Sequence, residues 1–190
     1  HAACSLYRAS SDAERKRAQP NTTAEYATMA QTVHLKLQAN GEDVKGESTV
    51  TTLDREDTIE CFSFDYGVQS ASEAFSGAAS GVRNYEPIRI TKRVDCATPL
   101  LWKALCENAK VEGVFKFYRP SPAGDGTTEE YYTVEIKEAR IAGIDFSSPD
   151  AIGASMNEPA TETVVFVFNN MSQTYEPTGA AHEDSFRDQA

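Results

Sequence analysis

The sequence predicts a mostly β domain, a sandwich or a closed barrel, with a single α-helix set between strands. Three observations carry that prediction. Apolar and polar residues alternate with period two over some seven or eight stretches, the pattern of half-buried strands. Turn residues separate these stretches at regular spacing, as in sandwiches and barrels. Only the segment from Thr98 to Asn108 carries helix signals. Closure would remove the edge strands that otherwise invite aggregation.

A chain of 190 residues is ample for one domain with a real core. Its formal net charge of −11 argues against nucleic-acid or anionic-membrane surfaces as partners. No stretch approaches the ~20 apolar residues of a membrane span, and no basic-then-apolar signal opens the chain. Cysteines stand at 4, 61, 96 and 106 with no CxxC pair and no ligand-like spacing to histidine. Cys61 falls in a strand pattern and Cys106 in the helix, so both are expected as buried free thiols, with a structural disulfide as the alternative. No metal site and no cofactor is expected.

Residues 1–28 are rich in Ala, Ser and Thr and have no apolar period. They carry +4 (Arg8, Arg15, Lys16, Arg17) against −3 (Asp12, Glu14, Glu25), which leaves −12 on residues 29–190. This segment is expected to be a disordered leader or upstream extension ahead of Met29. The domain is expected over 29–177, and 178–190 as a polar C-terminal tail.

Val33, Leu35 and Leu37 alternate with His34, Lys36 and Gln38, which places His34 on the wet face of the first strand. Asn40-Gly41 marks a turn. Asp43 to Ser48 reads as polar and extended. A second strand spans about 58–69, with Phe62, Phe64 and Tyr66 on the packed face and Ser63 and Asp65 on the small polar face. Small residues at 70–84 read as a flexible loop. Ile88 and Ile90 then lead towards the helix. Thr98 is the expected N-cap, Pro99 the first helical residue, and Asn108 the left-handed stop. Leu101, Trp102 and Leu105 are expected to pack on the sheet, with Lys103 and Glu107 pointing away.

Phe115 and Phe117 follow in a strand opposite Lys116 and Tyr118. Residues 120–128 form a hairpin loop, and 130–138 return with Tyr132, Val134 and Ile136 packed. A shorter strand covers 140–146. Residues 163–168 (TVVFVF) are apolar on both faces, so a cover is expected on each. Such an extra cover, together with polar faces rich in Thr, Ser and Tyr, points to a surface used for self-association.

Searches for GxSxG, HExxH, P-loop and dinucleotide fingerprints find nothing. The pair Glu129-Glu130 and the group Asp54, Glu56 and Asp57 offer carboxylates for an alternative reading, a secreted hydrolase. Solvated charge is the simpler account.

Several ordered segments share a resemblance: MAQTVHLKL at 29–37, DVKGES at 43–48, ITKRVDCATPLLWKAL at 90–105, YRPSPAGDGTTEEYYTVEIKEARI at 118–141 and SQTYEP at 172–177. Together they resemble the haemolysin-coregulated protein (Hcp) family of bacterial type VI secretion systems, over about residues 29–188. The resemblance implies an antiparallel β-barrel of two packed sheets flanked by one α-helix, like a phage tail tube. It implies a non-enzymatic homohexameric ring. Rings would stack into an inner tube inside a contractile sheath, behind a spike protein, with small effector proteins in the lumen. It further implies a cytoplasmic protein that is secreted when the apparatus fires, without membrane insertion. On that architecture Ser63 and Asp65 are expected on the lumen wall. Asp43, Lys45, Gly46 and Glu47 are expected in the loop that reaches the adjacent ring.

Overall fold

Strand β1 (Thr32–Ala39) turns through Asn40 and Gly41 into β2 (Glu42–Val44). Both turn residues have positive φ, 51° and 84°, as a tight I′ hairpin demands and as Asn-Gly supplies at little cost. The structure, a computed structural model, describes residues 31–72, 79–150, 152 and 158–186. The expected leader lies outside that range.

After β2 come β3 (Ile59–Asp65), the hairpin β4 (Val68–Ser72) and β5 (Ala79–Tyr85), β6 (Ile88–Arg93), helix α1 (Thr98–Cys106) and β7 (Val111–Pro120). The rest of the chain is β8 (Thr128–Ser147), β9 (Thr161–Val167), β10 (Asn170–Tyr175) and β11 (Ala180–Ser185). Antiparallel pairing runs β8–β7–β1–β3–β6–β9 and returns from β9 to β8, so six strands close a barrel. Closure rests on the length of β8. Its first half pairs with β7 on one edge and β10 on the other, and its second half pairs with β9. The two expected strands at 130–138 and 140–146 are therefore one. No glycine or proline separates them; the chain only bends where Glu138 takes a φ of 50°.

Inward residues of every barrel strand form one core, including Leu35, Ile59, Ile90, Phe115, Val134 and Phe166. Each large side chain buried there contributes roughly 1.5–3 kcal/mol. Cys61 belongs to this core, where burial pushes its thiol up to about 12. Cys106 and Cys96 are exposed, contrary to the expectation for Cys106.

Helix α1 closes one side of the barrel through Leu101 and Ala104, with Leu105 half-buried beside them. Trp102 is 57 % exposed, so the expected Leu101–Trp102–Leu105 face is corrected. One residue advances the helix by about 100°, and the face centres between Ala104, Leu101 and Leu105, leaving Trp102 on its flank. The start also shifts by one: Ala97 occupies the cap position and Pro99 the second helical position. The Thr98 hydroxyl accepts from the Asp95 N–H at 3.1 Å instead of capping the first turn. The stop is as expected. Asn108 has φ 51°, its N–H reaches the Leu105 carbonyl at 3.1 Å, and the Ala109 N–H reaches that of Ala104 at 2.9 Å, a Schellman closure.

Beneath the helix start lies an ion pair inside the barrel. Lys92 follows Ile88 and Ile90 on the inward parity of β6 and is fully buried; its register partner Glu162 on β9 is 1 % exposed. The ammonium donates at 2.7 Å to Glu162, at 2.7 Å to Asp95 and at 2.7 Å to the Arg93 carbonyl. The Thr98 hydroxyl donates to the same Glu162 oxygen at 2.9 Å. The pair thus ties α1 to two barrel strands. Strand parity was the signal that could have exposed it.

Two segments differ from expectation outside the barrel. The supposed flexible loop at 70–84 contributes most of the β4–β5 hairpin, although residues 73–78 lie outside the described range. The supposed tail forms β11 on the edge of β10. These extras meet. Asp184 of β11 accepts from Arg83 at 2.7 Å and from the Tyr85 hydroxyl, and the Tyr85 ring packs on Phe168 and Phe186.

Candidate functional site

The outer wall of the barrel has two faces that differ in what their outward residues can do. On the β1–β7 face, residues 45–58 cross the wall as a strap. On the β3–β6–β9–β8 face, no described segment covers the sheet.

The strap is pinned at both ends. The Gly46 N–H donates to the Asp57 carbonyl at 2.8 Å, and Lys45 pairs with Asp57 at 2.9 Å. A Cβ on Gly46 would lie 2.3 Å from the Thr58 carbonyl oxygen and 2.7 Å from the Ile59 Cα, so only glycine allows this approach. Glu47 accepts from the Cys96 N–H at 3.0 Å, which fastens the strap to the turn before α1. Asp43 accepts from Gln38 at 2.8 Å within the β1–β2 hairpin. Of the four expected stacking residues, Lys45, Gly46 and Glu47 therefore anchor the loop. Its exposed stretch is Thr49–Asp54, where Val50 and Leu53 are 38 % and 44 % exposed.

Under the strap lies a polar-aromatic cluster. His34 was expected to be wet but is 2 % exposed, and Tyr118 is fully buried. Period two placed both on the outward side correctly; the strap then covers them. The His34 Nδ1 lies 2.9 Å from the Thr58 hydroxyl, and its ring meets Tyr118 edge-on at 5.5 Å. The Tyr118 hydroxyl donates to the Leu53 carbonyl at 3.0 Å. The Arg55 guanidinium stacks 4.7 Å from the Tyr118 ring and donates to Thr52 through Nε and a terminal nitrogen at 3.0 and 2.7 Å. Burial pushes the Tyr118 hydroxyl up to about 12 and pulls His34 below its ordinary value, with Glu60 opposing and Arg55 assisting the latter shift.

The uncovered face carries a cross-strand row of short polar side chains. Ser63 pairs with Thr91, Thr91 with Thr163, and Thr163 with Asp145. The next row is Asp65, Arg89, Val165 and Gly143. The expected wall residues Ser63 and Asp65 thus share one face. A bulge after Cys61 resets the pleat of β3. Ile59 and Cys61 point inward before it, and Phe64 and Tyr66 pack on the core after it. Phe62, the extra residue, is 48 % exposed with the Arg93 guanidinium 5.2 Å from its ring centre, which corrects its expected packing. Strand β9 is likewise covered once, not twice: Val164 and Phe166 are buried, and Val167 is exposed.

The carboxylates weighed for hydrolysis do not converge. Glu129 and Glu130 are neighbours on β8 and point to opposite faces, one paired with Arg119 at 2.8 Å and the other with Lys116 at 3.2 Å. Asp54 pairs with Lys36 and Asp57 with Lys45. Among the described residues, no three His, Cys, Asp or Glu side chains gather as a metal ion would need.

Comparison with known proteins fits this architecture. A family model described as type VI secretion system effector, Hcp, matches residues 35–175. The chain is 31 % identical over 134 residues to the "Major exported protein" of Pseudomonas aeruginosa, covering 70 % of this chain and 77 % of that protein. The solved structure of Hcp1 from Escherichia coli EAEC 042 aligns with a TM-score of 0.71 at 23 % identity, over 83 % of this chain and 99 % of that one. The secreted protein Hcp3 of Pseudomonas aeruginosa aligns with a TM-score of 0.65 at 23 % identity, over 84 % of this chain and all of that one. The chain belongs to the Hcp family of type VI secretion proteins.

Proposed function

We propose that this protein is a ring-forming subunit of a type VI secretion inner tube, with the β3–β6–β9–β8 face as the inner wall. The observation that carries the reading is that face itself. A bare sheet with the row Ser63, Thr91, Thr163 and Asp145 across it, on a barrel of this family, is what a conduit wall needs. Short polar side chains keep the bore wide and give passing proteins little to adhere to. Ser63 and Asp65 lie on its β3 side, next to Thr91 and Arg89.

The rings are homohexamers whose repeated contacts let weak pairs set assembly, because symmetry multiplies each of them. Stacking uses the strap. Its anchors Lys45, Gly46 and Glu47, with Asp43 in the adjoining hairpin, hold the exposed Thr49–Asp54 stretch in a fixed pose towards the next ring. The subunit acts without catalysis. It assembles in the bacterial cytoplasm inside a contractile sheath and behind a spike protein, carries small effector proteins in the lumen, and is exported on firing. The exported relative at 31 % identity supports that last step.

The test is to load rings with a candidate effector and compare Asp65→Trp with the unaltered protein. The reading expects intact rings and lost retention. Lost rings with retained monomer stability would place Asp65 at a subunit contact and remove it from the lumen.

A further inference from the structure

The strap is held by a group whose charge depends on pH. The Thr58 hydroxyl has one proton, and it donates that proton to the Arg55 carbonyl at 2.6 Å. At its 2.9 Å contact with His34 it must therefore accept, which makes His34 the Nδ1–H tautomer. The atom left to take a second proton is Nε2, on a ring that is 2 % exposed.

The charged neighbours face it from each packed element. Glu60 on β3 and Lys116 on β7 are its register partners. Lys116 is paired with Glu130 of β8, and on its own strand Lys36 is paired with Asp54. Asp57 of the strap is held by Lys45. Tyr118 stands edge-on, and Arg55 lies across the same ring. A cation at His34 would thus be buried and would repel Arg55, the residue that grips Thr52 and covers Tyr118; attraction from Glu60 offsets part of this but not the cost of burial. The strap also has reason to move once freed: Leu53 and Asp54 hold φ of 56° and 59°, a left-handed conformation that costs a non-glycine residue on the order of 1 kcal/mol.

We propose that His34 is a proton-operated latch, which holds residues 45–58 against the barrel wall when neutral and releases them when it becomes charged. The direction follows from linkage. Burial holds the folded imidazole below its ordinary value, so the open strap binds the proton more tightly than the closed one. Strap protection is complete above the ordinary value of ~6.5 and is lost as the pH falls below it. The consequence for ring stacking rests on the strap reading above; the latch itself does not.

Amide hydrogen exchange of the 45–58 segment, corrected for intrinsic rates, tests it between about pH 7.5 and about pH 5. The unaltered protein should lose protection in the strap by roughly threefold to tenfold while β7 and β8 keep theirs. His34→Phe and His34→Gln, which cannot take the charge, should show no such pH-dependent loss. An NMR titration of the His34 ring should give a midpoint that coincides with strap opening. Equal acid loss in the variants, a strap whose protection does not change with pH in the unaltered protein, or a His34 midpoint apart from the opening would each overturn the latch. Sedimentation of stacked rings over the same pH range separates the two readings. A strap that opens without unstacking refutes only the stacking role.

Discussion

The β1–β7 wall and the β3–β6–β9–β8 wall belong to one barrel and share one core, yet their outward residues have opposite fates. His34 and Tyr118 stand on the first and are shielded from water by the strap. Ser63, Thr91, Thr163 and Asp145 stand on the second, under no described segment. Large rings with hydrogen-bonding tips, once covered, need a partner for each tip, and the strap supplies these through the Leu53 carbonyl and the Thr58 hydroxyl. Short hydroxyls and carboxylates need neither, because water satisfies them. The covered wall is thus part of the fold, and the bare wall is free to meet other molecules.

Substitutions can break this contrast, and the largest effect should come from the interior both walls share. Lys92→Met strands the Glu162 carboxylate in the core and should cost ~3–5 kcal/mol by chemical denaturation; adding Glu162→Leu should recover most of it. Leu101→Ala should cost ~2–5 kcal/mol, whereas Trp102→Ala on the exposed flank should stay within ~0.5 kcal/mol. On the covered wall, Gly46→Val drives a side chain into the Thr58 backbone and should cost ~1–3 kcal/mol while unseating the strap, read by limited proteolysis within 45–58. Tyr118→Phe removes only the bond to Leu53 and should cost ~0.5–1.5 kcal/mol. On the bare wall, Asp65→Trp should leave the melting temperature of the subunit nearly unchanged, within ~0.5 kcal/mol. Destabilisation there as large as on the covered wall would end the contrast.

Much of the barrel was legible because it follows from local rules. Asn40-Gly41 dictates a tight turn, and alternation from Val33 to Leu37 dictates which side faces in. Pro99 and Asn108 bracket the helix. Misreadings arose where distant segments decide. Parity placed His34 on the outer side, but only the strap, brought over by Gly46, makes that side dry. Period two groups Phe62 with Phe64 and does not foresee the bulge after Cys61. The 70–84 segment reads as a loop since its sequence of small residues shows no apolar alternation. Its anchor, the pairing of Arg83 and Tyr85 with Asp184, lies about 100 residues away in sequence. For the surfaces, Ser63 and Asp65 could be read as one face from β3 alone. The rows they form with Thr91, Thr163 and Arg89 needed the sheet order.

The central claim is that the bare wall lines a bore. Electron cryomicroscopy of the purified protein tests it directly. The expected result is closed rings of six times the 20.8 kDa chain, with Ser63, Asp65, Thr91 and Thr163 facing the central hole. Particles that remain single chains at high concentration, or rings that turn this face outward, would contradict it.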